Sequence, residues 1–204
     1  MKEQKLTEFI DNLNSPAPTP GGGGASALAG ALSSALCGMV AHLTTGKKKY
    51  AEYQEEIDEI LEQTQVLCTR MEDLIDEDAK AFAPLAEAYG IPKETPGRDE
   101  ILEKALVNAA AAPYRIVETA GEVRDIVVRL ADIGSRLAIS DVGVAAALCS
   151  ATAKGAAMNV YINTKLMTGR EYAEKLNEDT RALVESICAD CDKVYDRIKG
   201  DLKA

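Results

Sequence analysis

Tryptophan is absent from the sequence, and aromatic residues make up only 4% of its 204 positions. A sheet-based core favours aromatic and β-branched side chains, so this shortage argues against one. Apolar residues still reach 47%, which leaves Ala, Leu, Ile, Val and Met to build a core between helices. Histidine is nearly absent too. His42 is the only one, which excludes a multi-histidine metal site. Any Ser-His-Asp or Cys-His arrangement would have to use it, and its place among small residues reads as a packed or capping position. No metal site is expected. Basic charge is also short, with 23 Lys and Arg against 33 Asp and Glu, a net −10. That excludes the basic footprint of nonspecific nucleic-acid binding, although Lys47-Lys48-Lys49 remains as a local patch.

No stretch of about 18 apolar residues is evident, so no membrane span is expected. The first ten residues, MKEQKLTEFI, carry scattered charge and no apolar signal run. The five cysteines are odd in number and irregular in spacing. Cys188 and Cys191 form a lone C-x-x-C with no further ligand nearby. Reduced thiols in a cytoplasmic protein are the expectation.

What is present is helical patterning. The length suits a single domain over residues 1–204. Leu6, Phe9, Ile10 and Leu13 predict a short first helix. Pro16, Pro18 and Pro20 then hold the chain extended. Gly21 to Gly24 follow and read as a tight turn into a buried helix from Ala25 to about Thr45, apolar nearly all round, ended by Gly46. A long amphipathic helix is predicted from Tyr50 to Tyr89, kinked or shortened at Pro84, and another from Asp99 to about Ala131, interrupted near Pro113. Two more cover Ser140 to Met167 and Glu171 to Lys199. The expected fold is an all-α helical bundle with long central helices and no significant β-sheet.

Four features could carry chemistry. Asp78 continues the apolar stripe through Met71, Leu74 and Ile75, whereas Asp76 falls off it. A carboxylate on a core-facing stripe is either paired, here with Arg115 or Arg136, or lines a functional cavity. Asp141 follows Ser140 at a predicted helix start, as a plain cap or as part of a site. Asn159 and Asn163 lie four apart on a mostly apolar face and could hold a polar heterocycle or bridge helices. The glycine run lacks the spacing of a nucleotide-binding loop. It offers close backbone approach and exposed amides, either as a turn or to receive an anionic or carbonyl-bearing ligand.

Taken in order, SPAPTPGGGGASALAGAL, MVAHLTTGKKKY, LIDEDAKAF with GIPKETP, AISDVGVAAAL and NVYIN span Ser15 to Asn163. This set resembles the cyclodeaminase/cyclohydrolase family of folate one-carbon enzymes. The resemblance implies a helical homodimer with folate sites near the subunit contact. It implies that Asp78, second aspartate of the D-x-D-A-x-A-F motif, is the catalytic carboxylate. Ser140 and Asp141 would bind or shape the pterin pocket, and Lys47 and Lys48 would meet the glutamate tail. Gly22 and Gly23 would bring amides to the folate, with Asn163 also in the site. Relatives often read P-G-G-G-S, but Gly24 stands here, leaving Ser26 to supply a hydroxyl. They also often have G-N before S-D, where this chain has Gly134-Ser135.

The expected reaction is hydrolysis of 5,10-methenyltetrahydrofolate to 10-formyltetrahydrofolate. Within the family the alternative is formiminotetrahydrofolate cyclodeaminase, releasing ammonia. From another class, the alternative is a non-catalytic helical oligomeric binding protein. The tetrahydrofolate derivative is then the substrate, and no metal or organic cofactor is expected. Partners are the folate and a second copy of the chain, without nucleic acid or membrane.

Overall fold

The computed structural model describes residues 1–203. Six α-helices and no strand occur among them: α1 Leu6–Leu13, α2 Gly22–His42, α3 Gln54–Tyr89, α4 Arg98–Ile133, α5 Ile139–Thr164 and α6 Arg170–Lys203. The fold is an all-α bundle, as the composition predicts. Short 3-10 segments, Lys48–Tyr53 and Arg136–Ala138, lead into α3 and α5.

Small side chains set the arrangement. Gly22 meets Asn159, Gly30 meets Thr152, and the Ser33 hydroxyl donates to the Ala145 carbonyl at 2.8 Å. Rising numbers on α2 pair with falling numbers on α5, so the two helices are antiparallel. The same holds for α3, where Gly23 meets Asp78, Gly30 meets Met71 and Gly38 meets Thr64. A Cβ at Gly30 would stand 2.7 Å from the Met71 side chain. The glycines and serines of α2 therefore allow two neighbours to approach it at once. The main core joins α2 to α6, and a smaller cluster with Leu85, Leu106, Val160 and Met167 ties together one end of the bundle.

Several expectations need correction. The glycine run is not a turn ahead of the helix: Gly21 caps α2, and Gly22 to Gly24 form its first turn. None of them has a positive φ; only Gly46 and Gly97 do. Close approach, not backbone conformation, is what crowds Gly22 against Asn159 and Gly23 against Asp78, whereas a Cβ at Gly21 would meet nothing within 4 Å. Pro113 does not interrupt α4, whereas α3 runs through Pro84 to Tyr89, its predicted end. Pro113 is buried among alanines of α4, where packing outweighs the lost hydrogen bond. His42 is exposed in the last turn of α2. It is neither packed nor capping. Finally, α2 and the segment Arg136–Thr164 are long and apolar enough to cross a membrane by length and composition. Alternating Ser, Gly and Thr hid this from a search for an unbroken apolar run. More than half of each is buried inside the bundle.

Candidate functional site

Asp78 sits two-thirds of the way along α3, one helical turn beyond Leu74 and Ile75, both nearly fully buried. Its carboxylate lies against the first turn of α2. A Cβ on Gly23 would overlap it, so the carboxylate can hold this position only beside glycine. Neither expected ion pair forms. Arg115 pairs with Glu77 at 2.6 Å, and Arg136 is exposed, with no acid partner among the described residues. Asp78 is thus a largely buried carboxylate with no cation beside it. Burial raises its pKa above the ordinary carboxylate value, and the Gly24 amide partly offsets this. Asp76 faces away and takes the N-terminal amine of Met1 at 2.5 Å.

At the same end of α2, Asn159 of α5 stands against Gly22, and its amide donates to the Gly155 carbonyl at 3.0 Å. Asn163, one turn further, donates to the Ala109 and Asn159 carbonyls at 3.2 and 2.8 Å. Asn163 is buried and bridges α5 to α4. Ser26 donates to the Gly22 carbonyl at 2.7 Å and faces Gly155, so its hydroxyl is engaged inside the helix pair. Asn159 borders the glycine turn opposite Asp78; of the two spaced asparagines, the sequence could not say which would face α2 rather than α4.

The other expected residues lie elsewhere. Lys47 and Lys48 are exposed beyond the C-terminal end of α2. Ser140 and Asp141 fall in the first turn of α5 rather than capping it, because the helix already starts at Ile139. Antiparallel packing places that turn near the C-terminal end of α2, away from Asp78. At 1.5 Å per residue the 21-residue α2 separates the two groups by about 30 Å. The sequence has them in one list; the fold splits them.

The second group has its own hydrogen-bond frame. The Ser135 amide donates to the Thr44 hydroxyl at 2.9 Å, and the Lys47 ammonium donates to the Ser135 hydroxyl at 3.4 Å. The Arg136 amide donates to the Tyr50 phenol oxygen at 3.0 Å. That bond, with smaller help from Ser135, Lys49 and Lys47, lowers the Tyr50 pKa. Tyr50 escapes sequence reasoning; the only trace is its place at the end of K-K-K-Y.

The profile of the formiminotransferase-cyclodeaminase family matches residues 5–182. The chain belongs to this family. A methenyltetrahydrofolate cyclohydrolase of Methylorubrum extorquens is 36% identical over 201 residues, 97% of each chain. A formimidoyltransferase-cyclodeaminase of Mus musculus is 30% identical over 90% of this chain, which spans only 35% of that longer protein. The crystal structure of formiminotetrahydrofolate cyclodeaminase from Thermotoga maritima superposes with a TM-score of 0.85 at 30% identity, covering 97% of this chain and 98% of that one. Family membership gives the uncompensated carboxylate a context. A structural salt bridge is not its role here, since it has no partner to bridge to.

A cleft of about 600 Å³ lies between α3 and α4 and is lined by Val66, Arg70, Glu122 and Arg129, among others. Asp78 does not line it. Its charges are paired across the helices, Arg70 with Glu122 and Arg129 with Glu56 and Glu59, so it offers a ligand little that is unsatisfied.

Proposed function

We propose that this protein hydrolyses 5,10-methenyltetrahydrofolate to 10-formyltetrahydrofolate, with Asp78 as the catalytic carboxylate. The observation that carries the reading is Asp78 itself: half-buried, without a cation, and seated against a glycine whose Cβ would displace it. The substrate is a cyclic amidinium, a bridging carbon between two nitrogens that share positive charge. It supplies the cation the carboxylate lacks.

Water adds to the bridging carbon, and Asp78 accepts the proton that the water loses. The neutral tetrahedral adduct then collapses. Its hydroxyl proton is lost as the C=O forms, the bond from carbon to N5 breaks, and N5 takes up a proton. The formyl group stays on N10, and one proton is released overall. Neither electrons nor hydride move, so the scheme calls for no metal or organic cofactor. A chelator should leave turnover unchanged. In this reading Gly22 and Gly23 present amides to the folate at the start of α2, and Lys47 and Lys48 meet its glutamate tail. Ser140 and Asp141, a helix length from Asp78 within one chain, shape the pterin pocket from the second copy. The protein acts in the cytoplasm as a homodimer.

The similarity in structure to a formiminotetrahydrofolate cyclodeaminase favours a second reading. There an amine attacks a formimino carbon, ammonia leaves, and the same carboxylate shuttles the proton. The two are separated by one pair of assays. Purified protein should bleach the absorbance of methenyltetrahydrofolate. Ammonia release from the formimino compound, without that bleaching, would favour the second reading. Neither activity, with no folate binding, would return the chain to the class of helical binding proteins.

A further inference from the structure

The first turn of α2 has a polar side chain on either side of it. Asp78 of α3 lies against Gly23, and Asn159 of α5 lies against Gly22. A Cβ on Gly22 would stand 3.0 Å from the Asn159 Nδ2 and 3.2 Å from its Oδ1. The two glycines are neighbours in the chain, with Cα atoms about 3.8 Å apart. Gly22 is exposed, so the space over it is open to a ligand. A molecule whose reacting carbon meets Asp78 therefore brings another part of its surface beside Asn159.

The neutral polar side chains at this turn are not equally free. Asn163 donates to the Ala109 and Asn159 carbonyls, which uses both protons of its amide. The Ser26 hydroxyl donates to the Gly22 carbonyl and is enclosed against Gly155. Asn159 donates one amide proton to the Gly155 carbonyl at 3.0 Å. That leaves its second N–H and its Oδ1, side by side. A carbonyl accepts and never donates, so the Gly155 bond fixes which end of the carboxamide is which. Turning the group over would set two oxygens against each other. The Asn163 amide also holds the Asn159 backbone carbonyl at 2.8 Å and stiffens the turn that carries it. Asn159 thus presents a fixed acceptor beside a fixed donor.

We propose that Asn159 binds the lactam edge of the pterin and makes the site selective for 4-oxo pteridines over 4-amino ones. The assignment rests on the folate reading above. In the lactam, N3–H donates and the C4 carbonyl accepts. Oδ1 takes the N3 proton, and the second Nδ2–H bonds O4. C4 is bonded to the ring carbon that carries N5, so this edge lies beside the bridging carbon that Asp78 meets. A 4-amino analogue reverses both groups: N3 accepts and the 4-amino group donates. Against a carboxamide held by Gly155, it sets donor on donor and acceptor on acceptor.

Titration calorimetry with folic acid and with 4-amino-4-deoxyfolic acid reads this selectivity without turnover. The wild type should bind the 4-oxo compound roughly tenfold or more tightly, the scale of two neutral hydrogen bonds. Asn159→Ala should weaken folic acid by about that factor and bring the two affinities together. Asn159→Leu, which keeps the shape of the side chain without its polar atoms, should do the same with helical circular dichroism retained. Both variants should raise the KM for methenyltetrahydrofolate by a similar factor and leave kcat within about twofold. The lactam contacts are alike in substrate and transition state, and their loss is a loss of uniform binding.

Equal wild-type affinity for the two compounds overturns the assignment, as does selectivity that survives in the variants. An asparagine that only supports the fold would lower both affinities alike and leave their ratio where it stands. A fall in kcat with KM unchanged would put Asn159 in the chemistry instead, and also overturns it. Should both variants unfold, the wild-type ratio decides alone. Turnover without measurable folic acid binding leaves the decision to the KM of the variants. Wild type that neither binds folic acid nor turns over methenyltetrahydrofolate is a failure of the folate reading itself, and the assignment falls with it.

Discussion

α2 and α5 are built in one way and α3 and α4 in another. The first pair carries small residues, almost no charge, and contacts so close that glycine is required at the crossings. The second pair is 36 residues long in each helix and laced by ion pairs, Arg115 to Glu77, Arg70 to Glu122 and Arg129 to Glu56 and Glu59. Surface pairs of this kind contribute little each, since water already solvates both partners. Close-packed small residues contribute much more per position, because nothing else fits. The difference shows where substitutions are costly: at the helix pair that borders Asp78, not along the charged flank.

The sharpest break of that contrast is chemical. Asp78→Asn should keep the fold and folate binding but lose roughly 10²–10⁴-fold in turnover, the scale of general acid–base catalysis. Near-normal activity would remove Asp78 from the mechanism. The substitution should also raise the melting temperature at neutral pH. The sign follows from linkage. A carboxylate whose folded pKa is raised binds its proton more tightly in the folded state. The fold therefore loses stability as pH climbs from the ordinary carboxylate range through the raised value, and Asn removes that loss. In the wild type, turnover should rise with pH as Asp78 ionises, with an inflection above the usual carboxylate range. An inflection at the ordinary value would mean that burial does not govern the group.

Next in size is Gly23→Ala, whose Cβ has no room beside the Asp78 carboxylate. Turnover should fall by at least tenfold, while the same change at Gly200, where nothing stands within 4 Å, should leave it unaltered. Equal effects at the two positions would dissolve the argument from close approach. Gly30→Ala, which presses on Met71 and Thr152, should cost about 1–3 kcal/mol in urea unfolding, the usual range for overpacking. The smallest effect belongs to the flank. Arg129→Ala, removing two pairs to exposed glutamates, should cost less than about 1 kcal/mol. A larger loss there would put the charged helices on the same footing as the small-residue pair.

Much of the fold is legible in the sequence because helical periodicity is local. The stripe Ile57, Ile60, Leu67, Met71 and Leu74 fixes the buried face of α3 before any partner is known. Pro113 misleads for the opposite reason. A proline's cost is local, but whether a helix survives it depends on packing supplied by distant segments. The site divides along the same line. That Asp78 lies on a core-facing stripe can be counted off the chain. That Arg115 chooses Glu77 instead, and that Asn159 rather than Ser26 borders the glycine turn, depends on which faces meet.

By itself, the sequence determined the helical class, the carboxylate on a core-facing stripe and the exclusion of a multi-histidine metal site, since these follow from residue type and spacing. Only the tertiary structure decided that Gly22 and Gly23 serve contact rather than a turn. It also decided that Lys47, Lys48, Ser140 and Asp141 stand a helix length from Asp78. Spacing along a chain says which residues share a helix face. Which ends of which helices come together is a property of antiparallel packing, and no local pattern encodes it.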